Sequence, residues 1–425
     1  MVWFRSTAAL AACILLAHGA AAQEKRACSA QIDRENLIPC VLDASLAVRA
    51  EEASLRSLSG RRRAAGVILP SNPVLALSGA RRSAENGGQR ASNWSAELSQ
   101  ELEIAGQRGA RSRAAEAELA AQKQRIILSK RDSATAAWTF YFEAIAAKHE
   151  QELAERLLEA SQRMNAVARG KAQQGLIAAV DADVVEAATL RVLQAKLSAT
   201  RRWAIATAEL SALLGRDSAR PVTVVEGELS PLLGADVPAT SAASEERPET
   251  RMLVSEQQAL SARADTLKRA RIPNPTLSVF AQNDGFDEHV YGFGIAIPIP
   301  LPSPVGRTNA GEITELEALG QRVQVEREQL ARTFGLEAAT AAAEIRAHRD
   351  AVVALTPEML ERAERSLADL SEAINTGKLP VRDALIAQQA LIDLLQTNLS
   401  ERLELCLASV RLARALGRPL EEGAR

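Results

Sequence analysis

The sequence predicts a mainly helical fold with some β-structure, in which long antiparallel coiled-coil hairpins carry two pairs of strands. Three observations predict this class. Short motifs recur at a spacing of 202 residues, long segments lack both glycine and proline, and two segments alternate apolar and polar side chains. The chain is therefore expected to be internally duplicated, with each copy contributing a helix, a β-hairpin and a helical hairpin.

The duplication rests on five motif pairs that share one register. Asn72-Pro73-x-Leu75 recurs as Asn274-Pro275-x-Leu277, and Leu214-Gly215-Arg216 recurs as Leu416-Gly417-Arg418. The remaining pairs are Gly109 with Gly311, Gly175 with Gly377, and Asp181-Ala182 with Asp383-Ala384. We therefore expect a first repeat over residues 23–216, a linker over 217–250 and a second repeat over 251–425.

The first element of each repeat is a helix, expected at roughly 43–66 and 251–271. The long helix of the first repeat is expected over 110–169, which contains no glycine or proline and would reach about 90 Å. Its return helix is expected over 180–214, and the counterparts in the second repeat over 311–374 and 381–416. Pro357 interrupts the third of these four helices, and Thr356 before it could cap a restart, so a kink is expected there. The helical hairpins are thus assigned to 108–215 and 308–417.

The β-hairpins are assigned to residues 73–104 and 274–302. In 92–104 the apolar side chains fall on alternate positions, and 290–301 places Tyr291, Phe293 and Ile295 on one face. The partner strands are expected over 74–82 and 276–284. Alternation over about ten residues is typical of transmembrane β-strands. Four strands cannot enclose water, so if these strands span a membrane, several chains must share one barrel, and three chains would give twelve strands. The alternative is two soluble hairpins packed on the helices.

The N-terminus predicts a signal peptide over residues 1–22. Arg5 supplies the positive charge, residues 8–17 are apolar, and small residues precede Gln23. Leu10-Ala11-Ala12-Cys13 also fits a lipoprotein box, and in either case the chain is exported. Cys28 and Cys40 lie near the mature start, where an oxidising compartment makes a disulfide plausible. Cys406 is expected to be a small core residue.

Composition argues against several function classes. The net charge is −2, from 51 basic and 53 acidic side chains, and aromatic residues make up 3%. Such a chain offers neither a basic field nor stacking platforms for nucleic acid. Its four histidines are dispersed, and no His-Glu-x-x-His, Cys-x-x-Cys or phosphate-binding glycine loop occurs. The sequence therefore predicts that the protein is not an enzyme and has no cofactor or catalytic metal.

The arrangement resembles the TolC family of outer-membrane efflux proteins over nearly the whole mature chain. The segment from Glu101 to Arg111 looks like the strand-to-helix junction of the CzcC-like branch, which serves heavy-metal efflux. Ile297-Pro298-Ile-Pro300-Leu-Pro302, leading to Arg307 and Gly311, looks like the matching junction, and Gly175 to Asp181 looks like the family's periplasmic tip.

The resemblance implies a homotrimer with a twelve-stranded barrel in the outer membrane and a helical tunnel in the periplasm. Residues 217–250 and the chain ends would form a girdle around the tunnel. The function implied is a passive exit duct, supplied by an inner-membrane efflux pump through a periplasmic adaptor protein. The CzcC-like junction favours heavy-metal cations as cargo and hence a role in heavy-metal resistance, while drugs and other small molecules stay open.

The predicted tips are the turns at 170–178 and 374–380, which reverse at Gly175 and Gly377. The candidates for adaptor contact are Lys171, Leu176, Lys378 and Leu379. Asp181 and Asp383 could form acidic rings in a trimer, or could cap the first turns of their helices. The family often has a second Asp and an Arg where this chain has Ile386 and Leu379. A latch through Arg382 or Lys378 is therefore expected instead.

Three alternatives stay open on the sequence. A type I protein-secretion duct would have the same fold. A periplasmic adaptor also has a long helical hairpin, although usually only one and without lipid-type strands. A structural envelope coiled coil would have no pore.

Overall fold

The computed structural model describes residues 28, 31–82, 91–216, 222–224, 227–234, 247–283, 285, 288–301, 305–306 and 308–420. The predicted signal peptide, Cys13 and much of the 217–250 linker lie outside the described residues. In each repeat, one or two helices lead into a pair of strands, a long helix follows that is divided in the second repeat, and the chain returns through a last helix.

The elements of the first repeat are β1 (Gln31–Ile32), α1 (Leu37–Ala44), α2 (Leu46–Ala65), β2 (Val74–Arg82), β3 (Ala91–Glu101), α3 (Gln107–Gln173) and α4 (Ala179–Leu213). After β4 (Thr223–Val224), the second repeat comprises α5 (Pro248–Arg269), β5 (Thr276–Asn283), β6 (His289–Ala296), α6 (Ala310–Ala354), α7 (Pro357–Asn375) and α8 (Val381–Ala415). Helices α4 and α8 each contain 35 residues and begin 202 positions apart.

The long helices follow from composition. Helix α3 runs for 67 residues, or about 100 Å, through a segment rich in alanine, glutamate, leucine and arginine. Its counterpart is divided between α6 and α7, because Pro357 disfavours a helical conformation at the preceding residue. The Thr356 side chain accepts a hydrogen bond from the Met359 N–H and so caps α7, as the sequence indicated.

A four-stranded antiparallel sheet lies at one end of the helices, with strand order β2-β3-β5-β6. The central pairing joins the two repeats, with Leu98 of β3 opposite Val279 of β5. Strands β2 and β6 are therefore the free edges of the sheet in one chain.

The largest hydrophobic core surrounds the middle of α3. Trp138, Tyr141 and Phe142 are buried there against residues of α1, including Leu37 and Val41. The short strands β1 and β4 pair in parallel beside this core. The Cys28–Cys40 disulfide, with a Cα–Cα distance of 5.6 Å, fastens the start of the described chain to α1. Cys406 is a free, buried cysteine of the same core, where burial raises its thiol pKa to about 12.

Three elements differ from the sequence predictions in their boundaries. The segment predicted as one helix over 43–66 is divided at Ser45, which caps α2 and has an extended backbone. The strands predicted to reach residues 104 and 301 end at Glu101 and Ala296. Beyond Ala296 the prolines at 298 and 300 lack the N–H groups that a ladder needs.

Candidate functional site

One face of the sheet is apolar across all four strands. The register aligns Leu75 with Leu98, Leu98 with Val279 and Val279 with Phe293, so these side chains form one row across the sheet. The neighbouring row contains Leu277 and Ile295. These side chains are exposed in a single chain, with Phe293 at 82% and Tyr291 at 77%. An apolar surface of this kind needs a hydrophobic environment or a partner.

The opposite face of the sheet carries mainly polar or small residues, which include Ser78, Ser95, Glu97, Ser99, Ser278 and Gln282. The hydroxyls of Ser78 and Ser95 lie 2.8 Å apart across the first strand pair. Phe280 is an exception on this face, and its ring covers Gly292 on the adjacent strand, where a Cβ atom would come within 2.4 Å of the ring. The two faces thus differ as the alternation predicted.

The tips of the two hairpins have the same backbone geometry. Gly175 and Gly377 both adopt a φ of +72°, which glycine tolerates without a Cβ clash. The Leu176 N–H donates to the Lys171 carbonyl at 2.9 Å, and the Lys378 N–H donates to the Ala373 carbonyl at 2.9 Å. Both turns are therefore Schellman-type helix ends.

The candidate contact residues at the tips are not equivalent. Lys171 is half-buried and its Nζ donates to the Ile374 carbonyl at 2.5 Å, so it joins the two hairpins. Leu176 and Lys378 are exposed, whereas Leu379 packs partly against the core between the hairpins. This core includes Leu367 and Ile374 of α7 together with Met164 and Ala168 of α3. Leu176 and Lys378 are thus the accessible members of the set.

The acidic candidates lie in the first turns of the return helices. Asp181 is half-buried and Asp383 is exposed, as is Arg382. Neither carboxylate makes a side-chain cap hydrogen bond to its own helix among the described contacts. Negative charge in a first turn still interacts favourably with the helix dipole. The structure of one chain does not bring Asp181, Asp383 and Arg382 together through any described hydrogen bond or ion pair.

A buried charged network that sequence reasoning missed joins α3, α5 and α8. Arg131 and Arg247 are each 3% exposed, and Glu249 accepts from Arg131 at 3.1 Å. Arg247 donates to the Ala415 carbonyl at 2.6 Å and its guanidinium lies 3.3 Å from the centre of the Phe334 ring. Burial lowers the pKa of Arg247, and the Glu249 carboxylate opposes that shift. The only sequence signal was a pair of charges in otherwise ordinary helical segments.

Within the described ranges, no group of three or more His, Cys, Asp or Glu side chains is placed to hold a metal ion.

Among the same residues, no helix is both long and apolar enough to cross a membrane.

The first repeat matches a family of known proteins. The family model described as "Outer membrane efflux protein" matches residues 37–216. No curated protein matches the chain.

Solved structures are similar to the chain over both repeats. A membrane protein from Pseudomonas aeruginosa aligns with a TM-score of 0.76 at 18% identity, covering 90% of this chain and 92% of that one. CusC aligns with a TM-score of 0.75 at 18% identity, over 90% and 92% of the two chains. The Campylobacter jejuni CmeC outer membrane channel aligns at 0.75 and 13% identity, over 90% and 85%. At these identities the likeness shows the fold, and the predicted fold class is confirmed.

Proposed function

We propose that this chain is a member of the TolC family of outer-membrane efflux proteins and that three copies of it form the passive exit duct of a tripartite efflux system. The match of residues 37–216 to the outer membrane efflux model and the fold shared with CusC support an efflux channel of the outer membrane with a large helical part in the periplasm. The trimer, the adaptor and the pump are the further steps of the proposal. The CzcC-like branch indicated by the junction motifs stays a prediction.

The proposed trimer is supported mainly by the four-stranded sheet, which has a continuous apolar face and two free edges. In lipid, unpaired N–H and C=O groups on an edge strand have no water to bind, so an open edge is strongly disfavoured. Strand β2 of one chain would pair with β6 of the next, and three copies would give twelve strands. The apolar row through Phe293 would then face lipid.

A substitution on each face tests this arrangement. Phe293→Arg would place a charge on the lipid-facing side, at an expected cost of about 2–4 kcal/mol near the bilayer midplane. Gln282→Arg is the matched control on the polar face. We expect the first variant to lose most of its trimer in outer-membrane fractions, whereas the control retains it. Equal trimer yields for both variants would contradict the proposed orientation of the sheet.

The helical tips are proposed to dock the adaptor and to close the duct. Leu176 and Lys378 are the exposed candidates at the tips, and Gly175 and Gly377 shape the two turns. Lys171 and Leu379 are better suited to hold the hairpins together, given their contacts with the Ile374 carbonyl and the core between the hairpins. A latch through Arg382 or Lys378 would need a partner from a neighbouring chain.

An acidic ring of Asp383, and a second ring of Asp181, would favour cations in a narrow passage. We expect Asp383→Asn to weaken the block of channel current by divalent cations in planar bilayers, since a threefold set of carboxylates attracts divalent ions. Arg382→Gln serves as a control for the neighbouring charge. If divalent cations blocked the current of Asp383→Asn as strongly as that of the parent protein, the proposed acidic ring would be wrong.

The cargo that the CzcC-like junction favours is a heavy-metal cation. A role in heavy-metal resistance would not need a metal site in this chain, because selection can take place in the pump. We further propose that the chain has no catalytic role, which accords with its lack of a catalytic motif in the sequence.

A further inference from the structure

A cleft lies between α3, α4 and α8 at the level of the short strands β1 and β4. It has a volume of about 380 Å³, within the range of small-molecule sites. Its apolar part is formed by Ala146, Ala147, Ile205, Ala206, Leu399 and Leu403. Such a surface favours the apolar body of a ligand.

Two carboxylates at the cleft have no described neutralising partner. Glu143 on α3 and Glu209 on α4 make no hydrogen bond or ion pair with another residue in the described part of the chain. The third carboxylate of the cleft, Glu150, already binds Arg202, whose Nε donates to it at 2.8 Å. The lining therefore has a net charge of −2 when its carboxylates are ionised, from three glutamates and one arginine.

The cleft opens away from the girdle. On α3, Ile145, Lys148 and His149 line the space toward β1 and β4, together with Trp203 of α4. Glu143, Ala146 and Glu150 lie on another side of the same helical turns. In the proposed channel the girdle is on the outside, so the cleft faces the bore, where exported cargo passes.

We propose that this cleft binds an amphipathic monovalent cation, with the apolar body on the alanine and leucine surface and the positive charge beside Glu143 and Glu209. A hydrated metal ion gains nothing from the apolar surface, and the described residues offer it no set of three ligating side chains. The proposal rests on the proposed function in placing the cleft on the bore and in treating the ligand as cargo, and it adds an amphipathic cargo to the heavy-metal cation that the junction favours.

The charges that face Glu143 give the proposal a pH dependence. Burial raises the pKa of Glu143, and the carboxylates of Glu209 on α4 and Glu404 on α8 raise it further. Glu404 itself lies 3.6 Å from Arg411, and Arg202 is engaged by Glu150. A raised pKa favours the neutral acid, so cation binding should weaken as pH falls, beginning at a higher pH than for an ordinary glutamate.

The test uses the purified full-length protein in detergent with tetraphenylphosphonium as probe and isothermal calorimetry as readout. We expect saturable binding that weakens at least about tenfold in Glu143→Gln combined with Glu209→Gln. Ile205→Ser should also weaken binding, because it removes apolar surface from the cleft. Glu358→Gln combined with Glu361→Gln, on the exposed surface of α7, is the charge-matched control and should bind like the parent protein.

Two cations separate the contribution of the positive charge from that of the apolar body. Tetramethylammonium has the charge without the apolar body and should bind at least about tenfold more weakly than tetraphenylphosphonium. The proposal would be overturned if tetramethylammonium or Zn²⁺ bound with the same affinity as tetraphenylphosphonium. It would also be overturned if the double variant bound tetraphenylphosphonium as tightly as the parent protein. Conductance of the same preparation in planar bilayers is measured separately. A protein that conducts without binding contradicts only the site, and one that binds without conducting contradicts the channel.

Discussion

The two helical hairpins have return helices and tips of the same geometry, but their long helices differ. Helices α4 and α8 have equal length, and the tip glycines have equal φ. Helix α3 is continuous over 67 residues, whereas α6 ends at Ala354 and α7 begins at Pro357. The tip geometry is therefore the same in both repeats, while the long helix is continuous only in the first.

One residue explains the difference between the long helices. Pro357 has no N–H and pushes Thr356 into an extended conformation with ψ of 152°. The corresponding position in the first repeat, 202 residues earlier, is Glu155. It lies inside α3 and its carboxylate is 3.5 Å from Lys196 of α4.

Exchanging these residues is expected to give the largest change in the free energy of unfolding. Glu155→Pro removes a helical hydrogen bond and clashes with the preceding turn, so we expect a loss of about 3 kcal/mol in unfolding free energy. Pro357→Glu should change stability by less than about 1 kcal/mol, because the break already has its own cap at Thr356. The measurement is denaturant unfolding followed by helical circular dichroism at fixed protein concentration. Equal losses in the two variants would show that the long helices are interchangeable.

The residues that precede α5 and α2 give the next comparison. Arg247 and Ser45 occupy the same position of the two repeats, yet Arg247 joins the buried network whereas Ser45 caps α2 and lies 3.0 Å from the Ser133 hydroxyl. Arg247→Ala removes the side-chain donor to the Ala415 carbonyl and one of the ion-pair partners of Glu249, so about 3 kcal/mol should be lost. Ser45→Ala should cost about 1 kcal/mol.

The same unfolding measurement checks the pair, with Arg251→Ala on the exposed side of α5 as the control. The control should remain within about 0.5 kcal/mol of the parent, as is usual for surface substitutions. A loss in Arg247→Ala no larger than that in Ser45→Ala would mean that the buried network adds nothing to stability.

The helices were predictable because their segments are rich in helix-forming residues, although Gly109 and Gly170 lie inside α3 and do not mark its ends. The helix predicted over 110–169 extends over 107–173, and that predicted over 381–416 ends one residue earlier. The strand ends were less predictable, since a ladder stops where its partner stops. Leu102 still donates to the Pro275 carbonyl at 2.9 Å, although β3 has ended. Local patterns do not record where a strand loses its neighbour.

The candidate site also has features that the sequence predicted and features that it did not. The tip glycines and the apolar row of the sheet follow from spacing and alternation, which act within one segment. The contact of Lys171 with the Ile374 carbonyl and the pairing of Arg131 with Glu249 join residues more than a hundred positions apart. Such contacts depend on how the two repeats pack, and the local sequence of either partner does not specify them.

The smallest expected effects concern the tip glycines, where the two repeats should behave alike. A Cβ atom at Gly175 or Gly377 would meet no atom within 4 Å, so only the positive φ opposes a side chain. The backbone cost of about 1–2 kcal/mol is partly offset by the lower entropy of the unfolded chain. Gly175→Ala and Gly377→Ala should therefore each lose about 1 kcal/mol.

Gly170→Ala is the control for the glycine pair, since Gly170 lies inside α3 with open space around it and without a positive φ. It should stabilise the protein by about 0.5–1 kcal/mol, because alanine favours a helix interior. Unfolding of the three variants under one set of conditions gives the comparison. A larger loss for Gly377→Ala than for Gly175→Ala would mean that the tips are not equivalent, although the Lys171–Ile374 contact joins both turns.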